Sequence, residues 1–193
     1  VVSMVGYILG LGDRHGENIL LDSICGDTVH VDFNCLFNKG ESFEWPERVP
    51  FRLTQNMVAA MGPLGVEGVF RKSCACALRV LRNNANTLMS IVTPFVYDQL
   101  VSYKTGSGSA NNMAERTNEQ VWVCHFRFEV NVVFQALDHV KNIQLRLQGI
   151  IVKTKDRSLS IPLSIEGQAN SLINEAISLD NLCQMYIGWG AYL

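Results

Sequence analysis

The stretch GLGDRHGENIL (residues 10–20) places an acid, a base, an imidazole and a carboxamide within six positions between two apolar flanks. Asp13 precedes Asn18 by five positions. Phosphoryl transfer needs a carboxylate near the attacking hydroxyl and oxygen ligands for the Mg²⁺ that bridges the phosphates. Catalytic loops for this chemistry separate the base aspartate from a metal-binding asparagine by the same five positions. The spacing therefore predicts a phosphoryl-transfer site.

The residues that follow predict a β-hairpin. Two short apolar segments, residues 19–22 and 29–32, flank a stretch of turn-forming residues. An antiparallel hairpin returns the end of its second strand to the start of its first strand. We therefore expect Asp32 beside Asn18, so that the three oxygen-bearing side chains of Asp13, Asn18 and Asp32 converge.

Beyond the hairpin, the pattern predicts a long loop and then helices. Residues 33–50 read as an irregular loop, and loops of that length are usually functional. Residues 66–81 carry apolar side chains at helical spacing. Shorter or weaker helical patterns cover residues 54–61, 88–96 (kinked or started by Pro94), 136–148 and 164–176 (with Ser164 as N-cap), and Asp180 can cap a last short turn.

One region does not fit a helical chain. Residues 104–118 are rich in Gly, Ser and Asn and predict a linker, whereas residues 121–134 alternate like a lone β-strand. Two explanations stay open for residues 121–135: a genuine insertion, or a translated intron. A valine codon begins with GT, and a Phe-Gln pair can be encoded by a pyrimidine-rich stretch that ends in CAG. Genomic codons without splice signals there would contradict the intron.

Composition excludes several classes of function. The net charge is −2 with a pI near 6.1, and no run of Lys or Arg exceeds two residues, so direct nucleic-acid binding by this segment is not expected. The six cysteines include no CxxC pair, which favours buried free thiols over a zinc site. No apolar run reaches transmembrane length and no signal peptide opens the chain, so we expect no membrane contact and a location in cytosol or nucleus.

The order of the opening motif carries a family resemblance. In ordinary protein kinases His and Arg precede the Asp, whereas here Arg14 and His15 follow Asp13. This inverted order, followed by HVDFN at residues 30–34, resembles the phosphatidylinositol 3-kinase-related superfamily, which contains lipid kinases and giant protein kinases. NLCQMYIGWGAYL at residues 181–193 resembles the FATC segment that ends the protein-kinase branch.

Within that branch, HVDFNCLFNKG, PFRLTQNMV and LCQMYIGW most closely resemble ATR-type DNA-damage checkpoint kinases. The resemblance implies a mainly α fold with a small β-hairpin: the C-lobe of a PI3/PI4-kinase-like (α+β) kinase domain plus a helical FATC tail. We expect a partial C-lobe with catalytic and activation loops in residues 1–103 and a linker with the atypical insertion in 104–135. A connecting helix in 136–160 and the FATC segment in 161–193 complete this division.

The resemblance also assigns roles to the four residues of the expected site. Asp13 would orient or deprotonate the substrate hydroxyl, and His15 would stabilise charge in the transition state. Asn18 and Asp32 would bind the Mg²⁺, or a Mn²⁺ in its place, that accompanies ATP. The non-catalytic alternative is that Asp13 forms a surface ion pair with Arg14.

The same resemblance makes residues 33–50 an activation loop. It begins at Phe33 and Asn34, and the stretch to Arg52 would help to select substrates with Gln after the phosphorylated Ser or Thr. Asn34 replaces the commoner Gly, and Asn tolerates a positive φ angle better than most residues. Trp189 and Tyr192 would be tail core or a hook packed against this loop.

The implied activity is a nuclear Ser/Thr protein kinase in DNA-damage and replication checkpoint signalling. It would act on protein substrates and bind an ATRIP-like regulatory subunit through regions outside these residues. Two alternatives stay open. An inositol-lipid kinase is disfavoured by the tail and by the absence of a basic cluster in residues 33–50, and a non-catalytic scaffold is disfavoured by Asp13, Asn18 and Asp32.

We expect that these 193 residues hold only part of a kinase. Catalysis also needs a glycine-rich cover on the phosphates, a strand lysine and a helix glutamate, and no stretch before Asp13 supplies them. We therefore expect a preceding lobe in a longer parent protein and no phosphoryl transfer by the fragment alone.

Overall fold

A computed structural model describes the backbone of residues 1–106, 118–151 and 161–191, with side chains described except in residues 98–132. The architecture is mostly helical with one two-stranded antiparallel sheet among these residues, as predicted. The α-helices are α1 (Val2–Leu9), α2 (Gln55–Ala60), α3 (Val69–Asn83), α4 (Ala85–Gly106), α5 (Asn118–Leu147), α6 (Ile165–Ala176) and α7 (Leu179–Leu182), and the strands are β1 (Ile19–Leu21) and β2 (Thr28–His30). Single 3₁₀ turns occupy Gly16–Asn18, Lys39–Ser42, Gly65–Glu67 and Ile187–Trp189.

The chain divides into two compact units. The first consists of Val1–Asn84 and Leu145–Leu193, and the second of Ala85–Gln144. In the first unit, α3 packs against both α1 and α6. The side chains of Met4, Leu78 and Leu172, one from each helix, are fully buried. Burial of such large apolar side chains is the main source of stability for this unit.

The predicted hairpin is confirmed. β1 and β2 pair antiparallel with Ile19 opposite His30, and one further bond runs from the Val31 N–H to the Asn18 carbonyl at 3.1 Å. The turn is closed by Asp22, whose Oδ1 accepts from the Ile24 N–H at 2.7 Å. An aspartate that bonds its own backbone two residues further on is a common way to start a turn.

Three helix boundaries differ from the predicted ones. α3 begins at Val69 rather than residue 66, because Gly68 breaks the backbone path with ψ −127° after a separate 3₁₀ turn. α4 begins at Ala85 and contains Pro94 in its interior, so the start at Pro94 is wrong. The last short helix, α7, has Ser178 as its N-cap residue, and Asp180 lies in its first turn instead.

The lone strand predicted at residues 121–134 is wrong, because these residues lie within the 30-residue helix α5. A strand needs a partner for its backbone N–H and C=O groups, whereas a helix bonds them internally. The sheet found in the described chain ends with β1 and β2, so it offers residues 121–134 no partner. The helix predicted at residues 136–148 is confirmed as the last part of α5, which ends at Leu147.

Two predicted segments fall partly outside the described residues. The predicted linker covers residues 104–118. Its first three residues, 104–106, are helical, and residues 107–117 lie outside the part of the chain that the structure describes. Of the predicted connection 136–160, residues 152–160 lie outside it. Ser164 is confirmed as the N-cap of α6, since its Oγ accepts from the Gly167 N–H at 3.0 Å.

The cysteines depart from the expected buried thiols. Cys35 and Cys74 are buried, but Cys25, Cys76 and Cys183 are exposed, and all five are free. Among the helices that the structure describes, none has the length and apolar character to cross a bilayer.

Candidate active site

The predicted catalytic loop starts where α1 ends. Gly10 terminates the helix in the left-handed conformation with φ 66°. The next turn is tied to the loop after the hairpin, because the Gly12 N–H donates to the Cys35 carbonyl at 2.8 Å. Asp13 then adopts φ 58°, which is uncommon for a residue with a side chain. Such a conformation persists only where surrounding contacts hold it.

Arg14 is the organising side chain of the loop. It is 3% exposed, and its Nε donates to the Gly12 carbonyl at 2.8 Å. Its Nη1 donates to the Val31 carbonyl at 2.7 Å and to the Asn18 carbonyl at 3.4 Å, and its Nη2 donates to the Asp32 carbonyl. One planar guanidinium therefore joins the loop to both ends of the hairpin.

This geometry overturns the alternative that Asp13 and Arg14 form a surface ion pair. Arg14 points inward to backbone carbonyls instead of lying on the surface. Burial lowers the pKa of Arg14, and the nearby carboxylates of Asp13 and Asp32 oppose that shift. The buried cation of Arg14 therefore lies near both predicted site aspartates.

Asn18 lies in the same buried region. Its side chain is buried, and its Nδ2 donates to the Asp13 carbonyl at 2.7 Å. Because the amide nitrogen faces Asp13, the Oδ1 is the acceptor that Asn18 can offer to a cation. The asparagine thus contacts the backbone of Asp13 rather than its carboxylate.

His15 lies close to the Asp13 carboxylate, with 4.0 Å between Nε2 and Oδ1. Its Nδ1 accepts from the Glu17 N–H at 3.2 Å and caps the 3₁₀ turn Gly16–Asn18. With Nδ1 acting as an acceptor, the proton of a neutral imidazole is on Nε2. The N–H of His15 is therefore available on the side of Asp13.

Asp32 follows the hairpin and is exposed, with φ 55°. Its Oδ1 accepts from the Asn34 N–H at 3.0 Å. The positive φ angle therefore falls on Asp32 and not on Asn34, where the sequence suggested it. Phe33, between them, is 56% exposed.

The oxygen atoms of Asn18 and Asp32 fit a hard cation such as Mg²⁺. Asn18 presents Oδ1, and Asp32 presents a carboxylate with one oxygen engaged by a backbone N–H. In the part of the chain that is described, no cluster of three or more His, Cys, Asp or Glu side chains could hold a metal by itself. A two-ligand protein site is typical for Mg²⁺ that takes its other ligands from phosphates and water.

Glu47, which sequence reasoning did not single out, also contacts the catalytic loop. Its Oε1 accepts from the Asp13 N–H at 2.7 Å. Burial raises the pKa of Glu47, and the Asp13 N–H acts in the opposite direction. A glutamate in a predicted loop, 34 positions from its partner, gives no local signal of such a contact.

The end of the chain packs against the predicted activation loop, as expected for Trp189. Arg52 donates to the Trp189 and Gly190 carbonyls, and its guanidinium lies 4.6 Å from the centroid of the Trp189 ring. Trp189 belongs to a buried cluster with Leu182, Met185 and Ala191, against which Val49 packs. Tyr192 lies outside the described residues.

Residues 1–105 match the family model described as "Phosphatidylinositol 3- and 4-kinase". The chain belongs to this family. Residues 162–193 match the FATC domain.

Similar proteins agree with the predicted ATR-type resemblance. The chain is 55% identical over 193 residues to "Serine/threonine-protein kinase ATR" of Drosophila melanogaster and 47% identical over 192 residues to "Protein kinase rad3" of Schizosaccharomyces pombe. Each alignment covers 100% of this chain but only 7% of the length of the relative. The solved "FAT and kinase domain of CtTel1" matches with a TM-score of 0.70 and 35% identity, covering 100% of this chain and 12% of that chain.

Proposed function

We propose that the chain carries the catalytic and activation loops of an ATR-type Ser/Thr protein kinase that transfers the γ-phosphate of ATP to protein substrates. The observation that carries this proposal is the Arg14 guanidinium, which joins the Asp13–Asn18 loop to the backbone of Asp32. These backbone bonds tie the Asp13–Asn18 loop to Asp32, which supports a shared role for one acid and two metal-binding oxygen ligands. This is the set of groups that phosphoryl transfer needs.

In the proposed mechanism, Asp13 orients the Ser or Thr hydroxyl of the substrate and accepts its proton as the oxygen attacks the γ-phosphorus. The bond between the γ-phosphorus and the β,γ-bridging oxygen breaks, and ADP leaves. His15, with its N–H on the side of Asp13, donates to the transferring phosphoryl oxygens and stabilises their charge. Asn18 and Asp32 would hold the metal ion, which would supply positive charge to neutralise the phosphates. Arg14 holds the backbone segments that carry these side chains and does not contact the reactants.

We also propose the wider setting that the resemblance implies. The loop from Phe33 and Asn34 to Arg52 is the activation segment and favours substrates with Gln after the phosphorylated residue. The parent protein works in nuclear DNA-damage signalling with an ATRIP-like subunit. The similarity to kinases named ATR and rad3 supports this setting. The division into residues 1–103, 104–135, 136–160 and 161–193 stays a proposal of the same kind.

The test uses the full-length parent kinase, purified with any subunit that copurifies. Asp13→Asn, Asn18→Ala and Asp32→Asn should each lower kcat by about 10²-fold or more on a Ser-Gln peptide. Asp27→Asn, in the exposed hairpin turn, is the matched control and should keep full activity. An Asp13→Asn enzyme with wild-type kcat would contradict the proposal.

Two substrates separate the proposal from its alternatives. Phosphorylation of phosphatidylinositol vesicles, but not of the peptide, would favour the lipid kinase. No phosphorylation of either substrate by the wild-type protein would favour the scaffold.

A further inference from the structure

Asp13 is held by contacts on both sides of its backbone. Its carbonyl accepts from Asn18 Nδ2 at 2.7 Å, and its N–H donates to Glu47 Oε1 at 2.7 Å. Between these two bonds the residue adopts φ 58°. The Asn18 bond is local, whereas the Glu47 bond comes from the predicted activation loop.

We propose that Glu47 is a positioning residue that fixes the backbone of Asp13 for the reaction. The inference rests on the proposed function, because it assumes that Asp13 orients the substrate hydroxyl. Rotation of the Asp13 backbone out of its left-handed conformation would swing the carboxylate away from its target. A displacement of about 1 Å in a reacting group can cost about 10²-fold in rate.

The surroundings of Glu47 enclose its carboxylate. A Cβ atom added at Gly12 would lie 2.2 Å from Glu47 Oε2, and one added at Gly40 would lie 2.1 Å from it. Both glycines therefore leave room that the carboxylate fills. The Glu47 N–H also donates to the Gly40 carbonyl at 3.1 Å, which fixes the main chain that carries the side chain.

The energetics indicate that this arrangement does not exist for stability alone. No basic side chain among the residues described lies within ion-pair distance of the Glu47 carboxylate. A half-buried carboxylate without an ion-pair partner is a poor source of folding stability. Arg14 and the Trp189 side chain also lower the pKa of Glu47, and its carboxylate accepts a hydrogen bond of 2.7 Å from the Asp13 N–H.

The main chain beside Glu47 also meets the end of the chain. The Arg48 N–H donates to Met185 Sδ at 3.3 Å, and Val49 packs on the cluster that contains Trp189. The packed end of the chain therefore helps to fix the segment that carries Glu47.

The test compares three replacements of Glu47 in the full-length kinase. Glu47→Ala should lower kcat by about 10- to 100-fold with the KM for ATP changed less than about threefold. Glu47→Gln should stay within about threefold of wild type, because its amide oxygen still accepts from the Asp13 N–H. Glu47→Asp keeps the charge but is one methylene shorter, so it should behave like Glu47→Ala. Glu44→Ala, an exposed carboxylate of the same loop, is the matched control.

A second variant, Gly40→Ala, tests the same hydrogen bond without changing Glu47, in case Glu47→Ala fails to fold. Gly40 is not in the left-handed region, so Gly40→Ala should act chiefly by displacing the Glu47 carboxylate. It should lower kcat in the wild-type background and cause no further loss in the Glu47→Ala background. Melting temperatures of all variants are measured in parallel.

The outcomes separate the two proposals. If Asp13→Asn is inactive while Glu47→Ala keeps kcat within about threefold, the positioning role is wrong and the proposed function stands. Equal losses in Glu47→Gln and Glu47→Ala, or additive losses in the Gly40→Ala double variant, would also overturn it. If Asp13→Asn retains wild-type kcat, the proposed function itself fails.

Discussion

Arg52 and Trp189 join the predicted activation loop to the end of the chain. The guanidinium lies 4.6 Å from the centroid of the Trp189 ring, and Nη2 donates to the Gly190 carbonyl at 2.9 Å. Its Nη1 also lies 3.5 Å from the Arg14 carbonyl. One side chain therefore contacts both the tail and the catalytic loop. The planar fork of arginine suits such a shared position, because it can donate in several directions within one plane.

Arg52→Lys should loosen the tail. Lysine keeps the charge but has no planar fork, so it cannot bond the Trp189 and Gly190 carbonyls while stacking on the ring. We expect the free energy of local unfolding around residues 182–191 to fall by about 1–3 kcal/mol. Hydrogen exchange of these amides in the full-length kinase measures the change as about ten- to hundredfold faster exchange.

The matched control for this prediction is Arg48→Lys. Arg48 reaches the tail through its backbone N–H, which the substitution retains, and its side chain is exposed. Its exchange rates should match those of the wild type. Unchanged protection in Arg52→Lys would show that the Arg52 side chain does not hold the tail.

Arg14→Lys should disorder the link between the catalytic loop and the hairpin. Lysine cannot serve the Gly12, Val31 and Asp32 carbonyls together, and each buried acceptor left without a donor costs about 1–3 kcal/mol. We expect faster hydrogen exchange at residues 18–31 and a loss of phosphoryl transfer of about tenfold or more.

Arg79→Lys provides the comparison for Arg14. Arg79 is half exposed and pairs with Glu166 at 3.2 Å on the surface, where lysine can make the same pair. If Arg14→Lys exchanged no faster than Arg79→Lys, the organising role of the buried guanidinium would be refuted.

The hairpin and the N-cap of α6 were predictable because their signals are local. Alternating apolar residues around a turn predict β1 and β2, and the strand pairing then brings Val31 to Asn18. Ser164 precedes a helical pattern and bonds an N–H three residues later. Each signal lies within a few residues of the feature that it specifies.

The contacts that hold the candidate site were not predictable in the same way. Arginine is normally a surface residue, and the burial of Arg14 depends on carbonyls up to 18 positions away. Glu47 reaches Asp13 across 34 positions. The error at residues 121–134 has a related cause, because alternation over a short stretch does not show whether a partner strand exists.

Gln168→Leu should weaken the hydrogen bonds that hold α6 in place. The Gln168 side chain is fully buried, its Nε2 donates to the Arg146 carbonyl at 2.9 Å, and its Oε1 accepts from Arg82 Nη2 at 2.6 Å. Leucine fills a similar volume but removes both bonds, while the Arg146 carbonyl keeps the Gly149 N–H and Arg82 keeps the Leu163 and Ser164 carbonyls, so the loss should be about 1–3 kcal/mol. Hydrogen exchange of α6 in the full-length kinase reports this loss. Gln184→Leu is the control, since the Gln184 side chain is exposed and donates to the Asp180 carbonyl of its own turn. Equal exchange in both variants would contradict the prediction.

Cys35 should resist alkylation until strongly alkaline pH. Burial raises the pKa of its thiol from 9.0 to about 11, and the Glu47 and Asp13 carboxylates add to the shift. Because the folded pKa is raised, the preference for the neutral thiol stabilises the fold fully below pH 9.0, and this contribution is lost as the pH rises through about 11. At pH 8, iodoacetamide should modify the exposed Cys25, Cys76 and Cys183 while Cys35 reacts at least about tenfold more slowly. Mass spectrometry of labelled peptides measures the four rates, and labelling of Cys35 as fast as Cys25 would refute its burial beside Gly12.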